Sequence, residues 1–139
     1  MYQYKAKITR IIDGDTVDCD IDLGFKVVLA KQRIRLHGID TPESRTRDKV
    51  EKKYGLLAKK FLVEFIEEAE HSIIIETSKG KSRGKFGRIL GKLVNADGVC
   101  VNDLMCEIGH AAPYFGQSKD DIAAQHIENR KKIDKLLDD

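Results

Sequence analysis

Three carboxylates lie at points where predicted strands end. Asp15 lies in the tight Asp-Gly turn of the segment IIDGDTV, and Asp40 follows a predicted strand 25 positions later. If the strands are neighbours, Asp15 and Asp40 can converge on one hard cation, because Ca²⁺ and Mg²⁺ prefer carboxylate, carbonyl and water oxygens. Glu43, three residues past Asp40, could reach the same pocket as a further ligand or as a base.

Two arginines are candidates for binding a phosphate beside these carboxylates. Arg35 lies near the end of a predicted strand, five residues before Asp40, and Arg88 lies at the start of another. A guanidinium group matches two phosphate oxygens at once and stays charged at any working pH. Two arginines, a cation and a carboxylate base are the parts that phosphodiester hydrolysis needs, because they activate water and stabilise the charge of the transition state.

Each of these residues, taken alone, has a more ordinary explanation. An aspartate in an Asp-Gly turn is most often there for the turn itself, and the sequence Asp-Thr-Pro is a common way to leave a strand. A lone arginine on a strand face is most often solvated. The functional interpretation therefore depends on the combination and not on any single residue.

Charge is distributed unevenly along the chain. The 25 Lys and Arg against 23 Asp and Glu give a net charge of only +2. Residues 13–22 contain five carboxylates and no base, residues 31–60 contain ten bases and four acids, and residues 79–92 contain six bases and no acid. This pattern fits a cation site beside a track for a polyanion, with Lys81 and Lys85 on that track. Solvated charged faces would give the same pattern.

Length and composition exclude several classes of protein. With 139 residues, of which 41% are hydrophobic, the chain has the size of one compact domain and can bury a core without disulfides. We therefore predict a single domain over residues 1–139. Three cysteines without a CxxC pair and four scattered histidines give no zinc motif, and the thiols are expected to be buried.

No segment approaches the roughly 20 apolar residues of a membrane-spanning helix, and no signal peptide is visible. These features predict a cytoplasmic protein with no membrane partner, although a chain from which a leader had been removed would look the same. We expect a monomer.

Hydrophobic periodicity predicts a strand-rich first half followed by helices. The predicted strands are Tyr4–Ile12, Thr16–Asp22, Phe25–Leu36, His71–Thr77 and Phe86–Asn95, with a turn at Leu23-Gly24. The predicted helices are Tyr54–Ala69, a short helix from Asn102 as its N-cap to about Ile108, and Asp120–Leu137. Residues 44–53 and the segment around Pro113 are predicted loops. The fold class is therefore α+β, mainly β: a five-stranded OB-fold barrel with three helices in the order βββαββαα.

Four segments together resemble the staphylococcal nuclease (thermonuclease) family. They are IIDGDTV, RIRLHGIDTPES, YGLLAKKF and GKFGRILGKLVNADG, and the similarity runs from about Lys7 to about His110, with a weaker match in the last helix. The resemblance implies an OB barrel with three helices. It also implies calcium-dependent hydrolysis of DNA and RNA, with little sequence preference and with 3′-phosphate products.

The resemblance further implies roles for the carboxylates. Asp15 and Asp40 would be calcium ligands, with the backbone carbonyl of Thr41 as a third ligand. Glu43 would be the general base.

Contacts with the substrate are implied for the basic residues. Arg35 and Arg88 would bind the scissile phosphate and stabilise the transition state, and Lys85 would lie near a terminal phosphate. Tyr114 either stacks on a base, a contact worth about 1–3 kcal/mol, or covers the end of a helix. The chain departs from the family in several respects: the hairpin between Thr16 and Arg35 is longer than usual, Phe86 stands where a tyrosine is common, and Tyr114-Phe115 only approximates the family's pair of stacking tyrosines.

Two functions remain open on the sequence. The first is a calcium-dependent nuclease, and the alternative is a catalytically silent module that binds nucleic acid on the same barrel. The joint presence of all five candidate carboxylates and arginines favours the enzyme, because a silent module has little need for all of them. A nuclease kept inside a cell would need restraint, which scarce calcium or a phage or mobile-element origin would each explain.

Overall fold

Five strands close into a barrel that carries helices on its outside. The computed structural model describes residues 2–77 and 88–138. The elements in chain order are β1 (Tyr2–Asp13), β2 (Thr16–Gly24), β3 (Val27–Leu36), β4 (Ile39–Asp40), α1 (Lys49–Glu68), β5 (Ser72–Thr77), β6 (Ile89–Val94), α2 (Val101–Ile108), β7 (Ala112–Pro113) and α3 (Lys119–Asp138). Around the barrel the order is β1–β2–β3–β6–β5, with β3 and β6 parallel and the other neighbours antiparallel. The predicted OB fold is confirmed, including the order of its main elements.

The barrel interior is built by the alternation that the sequence shows. On β2, Val17, Cys19 and Ile21 are buried, while the aspartates between them point outward. Ile34 and Leu36 of β3 are buried in the same core. Because successive side chains of a strand point to opposite faces, this alternation also places the charged residues of β2 and β3 on the outside.

The hairpin between β2 and β3 closes later than predicted. The turn lies at Phe25-Lys26, between the paired residues Gly24 and Val27, and Leu23 still belongs to β2. Both turn residues have positive φ, 55° and 64°, the geometry of the two-residue turns that fit the twist of a hairpin. The predicted turn at Leu23-Gly24 is therefore wrong, because strand twist overrides the preference of glycine for the turn itself.

Helix α1 begins earlier than the apolar pattern predicts. Its first residue is Lys49, and the Asp48 carboxylate accepts hydrogen bonds from the N–H groups of Val50 (3.0 Å) and Glu51 (3.1 Å). The predicted loop over residues 44–53 is therefore wrong in its second half. Satisfying the free N–H groups of the first turn allows helix to form there even though these residues bury little apolar surface.

The face of α1 that packs on the barrel is formed by residues at helical spacing. Ala58, Leu62 and Ile66 are completely buried, whereas Phe61 and Phe65 are only partly buried and pack against the edge of the core. The small or branched side chains of Ala58, Leu62 and Ile66 therefore pack where α1 lies nearest the barrel, and the two phenylalanine rings pack at the edge of the core.

Asn102 is not the N-cap of α2. The N-cap is Cys100, and Asn102 is fully buried within the helix. Its side-chain oxygen accepts from the N–H of Leu93 (3.2 Å), and its amide nitrogen donates to the carbonyls of His37 (2.9 Å) and Gly91 (3.2 Å). Asn102 therefore joins α2 to β6 and to the residue after β3, because buried backbone groups there need partners.

The segment after β3 leaves the barrel and forms a second small sheet. Asp40 of β4 lies opposite Ala112 of β7, and Ile39 lies opposite Pro113. The N–H of Tyr114 donates to the carbonyl of the residue before β4 at 2.8 Å. The predicted loop around Pro113 is thus partly strand, at an edge position that proline tolerates.

The three cysteines are free, and Cys19 is buried while Cys100 and Cys106 are half-buried. The expectation of buried thiols therefore holds fully only for Cys19, whose pKa is raised to about 12, mainly by burial.

In the part of the chain that the structure describes, no helix is both long enough and apolar enough to cross a membrane.

Candidate functional site

Arg35 joins the two aspartates that lie far apart in the sequence. Its Nη2 lies 3.3 Å from Oδ2 of Asp15 and 3.5 Å from Oδ1 of Asp40. The β2–β3 ladder sets Thr16 opposite Arg35, and the N–H of Leu36 donates to the Asp15 carbonyl at 2.8 Å. The Arg35 guanidinium also donates to the Leu36 carbonyl at 2.9 Å, which fixes its direction. Backbone pairing thus places Asp15 beside Arg35, and one guanidinium nitrogen lies near both carboxylates.

The Asp15 carboxylate is buried and held by hydrogen bonds. The Thr16 hydroxyl donates to one carboxylate oxygen at 3.1 Å, and the Thr41 N–H donates to the other at 3.2 Å. Burial raises the pKa of Asp15, and the neighbouring Arg35 opposes that rise. Gly14 permits the packing, since a Cβ there would lie 3.0 Å from the Thr41 hydroxyl oxygen.

The Asp40 carboxylate has a second partner, which the sequence analysis did not identify. Nε2 of His126 lies 2.8 Å from Oδ2 of Asp40, and the His126 side chain is only 9% exposed. His126 comes from α3, 86 positions away, and belongs to no motif. The one available signal was its spacing from Asn129 and Ile133, which places two polar residues on the buried face of a helix.

Glu43 and Arg88 line one open cleft next to the Asp15 turn. The cleft has a volume of about 430 Å³. Its lining residues are Ile12, Asp13, Thr16, Arg33, Glu43, Arg45 and Arg88. Arg88 precedes β6, which runs parallel to the end of β3 that carries Arg35, so adjacent strands supply the two candidate arginines.

The pKa of Glu43 is raised above its ordinary value. Partial burial of the carboxyl group is the largest cause, followed by the negative charges of Asp13, Asp15, Asp40 and Glu51. Several carboxylates therefore share one small region, and together they disfavour the charged form of Glu43. A cation bound among them would relieve that repulsion.

Gly55 allows α1 to approach the backbone that carries Glu43. A Cβ at position 55 would lie 2.4 Å from the Glu43 carbonyl oxygen and 2.7 Å from that of Pro42. The Glu51 carboxylate accepts from the Glu43 N–H at 3.4 Å and adds a polar contact. The position of Glu43 thus depends on a helix position without a side chain.

Gly55→Ala should push the Glu43 backbone away from α1. We expect the free energy of unfolding to fall by about 1–3 kcal/mol, because overpacking outweighs the gain in helix propensity. Urea denaturation measures the change, and Lys60→Ala, at an exposed position of the same helix, is the matched control with an expected change within about 0.5 kcal/mol. Unchanged stability of Gly55→Ala would show that the backbone at Pro42 and Glu43 can move away at no measurable cost.

Of the remaining candidate residues, Lys81, Lys85 and Tyr114, the structure describes only Tyr114. Lys81 and Lys85 lie outside the described residues. Tyr114 is 46% exposed and follows β7 directly, so its backbone is anchored beside the strand that carries Asp40. Its half-exposed ring is compatible with stacking on a ligand.

The described side-chain atoms near Arg35 that could ligate a metal are the carboxylate oxygens of Asp15 and Asp40. Among the described residues, no three His, Cys, Asp or Glu side chains cluster as ligands of a metal, so a cation here would use two carboxylates together with hydroxyl, carbonyl or water oxygens. The Thr41 hydroxyl is buried and has no hydrogen-bond partner within residues 2–77 and 88–138. Such a set suits a hard divalent cation better than zinc.

Barrel and site together define an OB-fold protein with acidic residues and two arginines at the ends of neighbouring strands. The family model described as "Staphylococcal nuclease homologue" matches residues 33–136, which is more than half of the chain. The chain belongs to the staphylococcal nuclease family.

Three relatives illustrate this membership. An uncharacterized protein of Bacillus anthracis (pXO1-141) is 32% identical over 106 residues, which cover 76% of this chain and 45% of the relative. Endonuclease YhcR of Bacillus subtilis (strain 168) is 25% identical over 118 residues, 81% of this chain and 9% of the relative. An uncharacterized endonuclease of Escherichia coli is 28% identical over 117 residues, 84% of this chain and 65% of the relative. The chain thus spans less than two thirds of each of them.

Proposed function

We propose that this chain is a calcium-dependent nuclease that hydrolyses DNA and RNA without sequence preference and leaves 3′-phosphate ends. The observation that carries the proposal is the convergence of Asp15 and Asp40 on Arg35, beside the cleft lined by Glu43 and Arg88. Membership of the family and two relatives named as endonucleases support the general class of reaction.

The acidic side of the site would hold the cation. Asp15 and Asp40 would each give a carboxylate oxygen, and Thr41 would give its backbone carbonyl. When bound, the calcium ion would polarise the phosphoryl group and lower the pKa of a water molecule. The oxygen-only donor set and the mutual repulsion of the carboxylates both favour such an ion.

The basic side of the site would hold the scissile phosphate. Arg35 and Arg88 would donate to its oxygens and stabilise the charge that grows as the attacking oxygen bonds to phosphorus. Arg35 already faces both aspartates, so its position relative to the carboxylates exists before substrate binds. That preorganisation lowers the cost of assembling the site.

Glu43 would act as the general base. Its carboxylate would accept a proton from the attacking water, or orient that water, at the rim of the cleft. Partial burial and, after it, the nearby carboxylates raise the pKa of Glu43, which makes it a stronger proton acceptor than an isolated glutamate.

The rest of the polynucleotide would be bound without reading its sequence. Lys81 and Lys85 would neutralise backbone phosphates, and Tyr114 would stack on a base. Contacts with the backbone and with the faces of bases carry little sequence information.

A metal-dependence assay tests the proposal. Plasmid and denatured DNA, and RNA, should be degraded with Ca²⁺, and a chelator should abolish the degradation because the carboxylates alone cannot activate water. End-group analysis should find 3′-phosphates. The Asp15→Asn variant is the control that removes one ligand.

Binding of DNA without cleavage in Ca²⁺, Mg²⁺ or Mn²⁺ would contradict the nuclease and favour the silent nucleic-acid-binding module. Cleavage that survives chelation would contradict the role of the metal.

A further inference from the structure

Helix α3 packs on the molecule through a face that is largely polar. Its three buried residues, His126, Asn129 and Ile133, recur at helical spacing, and two of them are polar. Several of its apolar residues, by contrast, face outward, since Ile127, Leu136 and Leu137 are each more than half exposed. The hydrophobic effect alone would turn the apolar residues inward. The hydrogen bonds of the polar pair must therefore contribute to the way this helix docks.

Both polar residues bond to the region of the small sheet that carries Asp40. His126 Nε2 contacts Oδ2 of Asp40 at 2.8 Å, and the Asn129 amide donates to the Ala111 carbonyl at 3.1 Å. Ala111 immediately precedes β7, whose Ala112 pairs with Asp40. Helix α3 thus contacts both strands of the small sheet: His126 bonds to Asp40 of β4, and Asn129 bonds to the residue before β7.

The contact with His126 occupies one oxygen of the Asp40 carboxylate. Nε2 of His126 lies against Oδ2 of Asp40, so Oδ1 is left facing Arg35. Nδ1 of His126 is buried and has no partner among the described residues, so the ring is held through Nε2. A carboxylate that ligates a cation can only accept, so Nε2–H of His126 would donate to it.

We propose that His126 is a positioning residue that orients the Asp40 carboxylate for binding the cation. The inference rests on the proposed function, because it takes Asp40 as a metal ligand. Hydrogen-bond partners of metal ligands commonly change metal affinity by about 10–100-fold when they are removed. A freely rotating Asp40 would have to be ordered again at each binding event, and α3 removes that cost in advance.

The test measures calcium binding to the full chain by calorimetry, without substrate. His126→Ala should weaken Ca²⁺ affinity by about 10–100-fold. His126→Gln should keep the affinity within a few-fold of the starting chain, because its amide can donate from nearly the same place. In cleavage assays, His126→Ala should raise the Ca²⁺ concentration needed for half-maximal rate while leaving kcat at saturating Ca²⁺ nearly unchanged.

Asp134→Asn is the matched control. Asp134 accepts a hydrogen bond from the Tyr54 hydroxyl, so the variant weakens a contact between α3 and α1 away from Asp40. Its melting temperature should fall while its Ca²⁺ affinity stays the same.

Three outcomes would overturn the inference. They are unchanged Ca²⁺ affinity in His126→Ala, equal losses in His126→Ala and Asp134→Asn, and a fall in kcat that excess Ca²⁺ does not correct. In each of these cases the unsubstituted chain still binds calcium and cleaves DNA, so the proposed function stands. Absence of Ca²⁺ binding by the unsubstituted chain would instead contradict the calcium site itself, and the inference with it.

Discussion

Replacing Arg35 with alanine should lower kcat/KM for DNA cleavage by about 10²–10³-fold, the loss typical of removing one preorganised donor to a transition state. The guanidinium is only 17% exposed and lies within 3.5 Å of both site aspartates. A steady-state assay on a short oligonucleotide at saturating Ca²⁺ measures the effect. Arg35→Lys should lose less activity than Arg35→Ala, because lysine keeps the positive charge. It should still be slower than the unsubstituted chain, because lysine cannot bind two phosphate oxygens at once.

The same substitution should also destabilise the metal-free protein. Without Arg35, the buried Asp15 carboxylate keeps its desolvation cost and its repulsion from Asp40, but loses its nearest positive charge. Added Ca²⁺ should recover part of the lost stability by binding the folded state. Arg10→Ala, at an exposed arginine of β1, is the control and should change neither quantity. A full cleavage rate in Arg35→Ala would remove this residue from the mechanism.

Combining Arg35→Ala with Arg88→Ala should cost less than the product of the two single losses. The two groups would act on one phosphate, so the second loss falls on a transition state that is already poorly bound. A double-variant loss equal to the product of the two single fold-losses would show that the two arginines act independently.

Replacing Glu43 with glutamine should lower kcat by about 10²–10⁴-fold, the usual range for a general base. Glutamine has nearly the same shape but cannot accept the proton, so the loss should appear in kcat with little change in KM. Rapid-quench measurement of a single turnover separates this step from product release. Glu43 lines the same cleft as Arg88 and Asp13.

Controls for Glu43 come from the same part of the chain. Glu64→Gln, at an exposed position of α1, removes an equal charge without touching the cleft and should leave the rate unchanged. Glu43→Asp should retain part of the rate, because a carboxylate remains but its side chain is one methylene shorter and lies farther from the attacking water. A rate within three-fold of normal in Glu43→Gln would contradict the assignment of the base.

Local sequence pattern predicted most of the barrel. Val17, Cys19 and Ile21 alternate with aspartates, and this period of two appears in the structure as a strand with one buried face. The predicted end of α2 at Ile108 is confirmed, and Gly109 directly after it has a φ of 109°, the left-handed conformation that favours glycine. Such features depend on neighbouring residues alone, so a sequence contains them in full.

Predictions were wrong where a distant group decided the outcome. Asn102 has the residue type of an N-cap, yet its side chain bonds to β6 and to the carbonyl of His37, because those buried groups needed partners. The start of α1 was missed for a local reason instead, because Asp48 caps the helix from the adjacent position and a cap leaves no apolar pattern.

The amino-acid sequence by itself determined the barrel, its family and the residue types from which a phosphodiesterase site could be made. Only the tertiary structure decided that Arg35 stands between Asp15 and Asp40, and that a histidine of the last helix holds Asp40. The reason is physical: periodicity records which face of an element is buried, whereas a hydrogen bond between residues 86 positions apart depends on how whole elements dock.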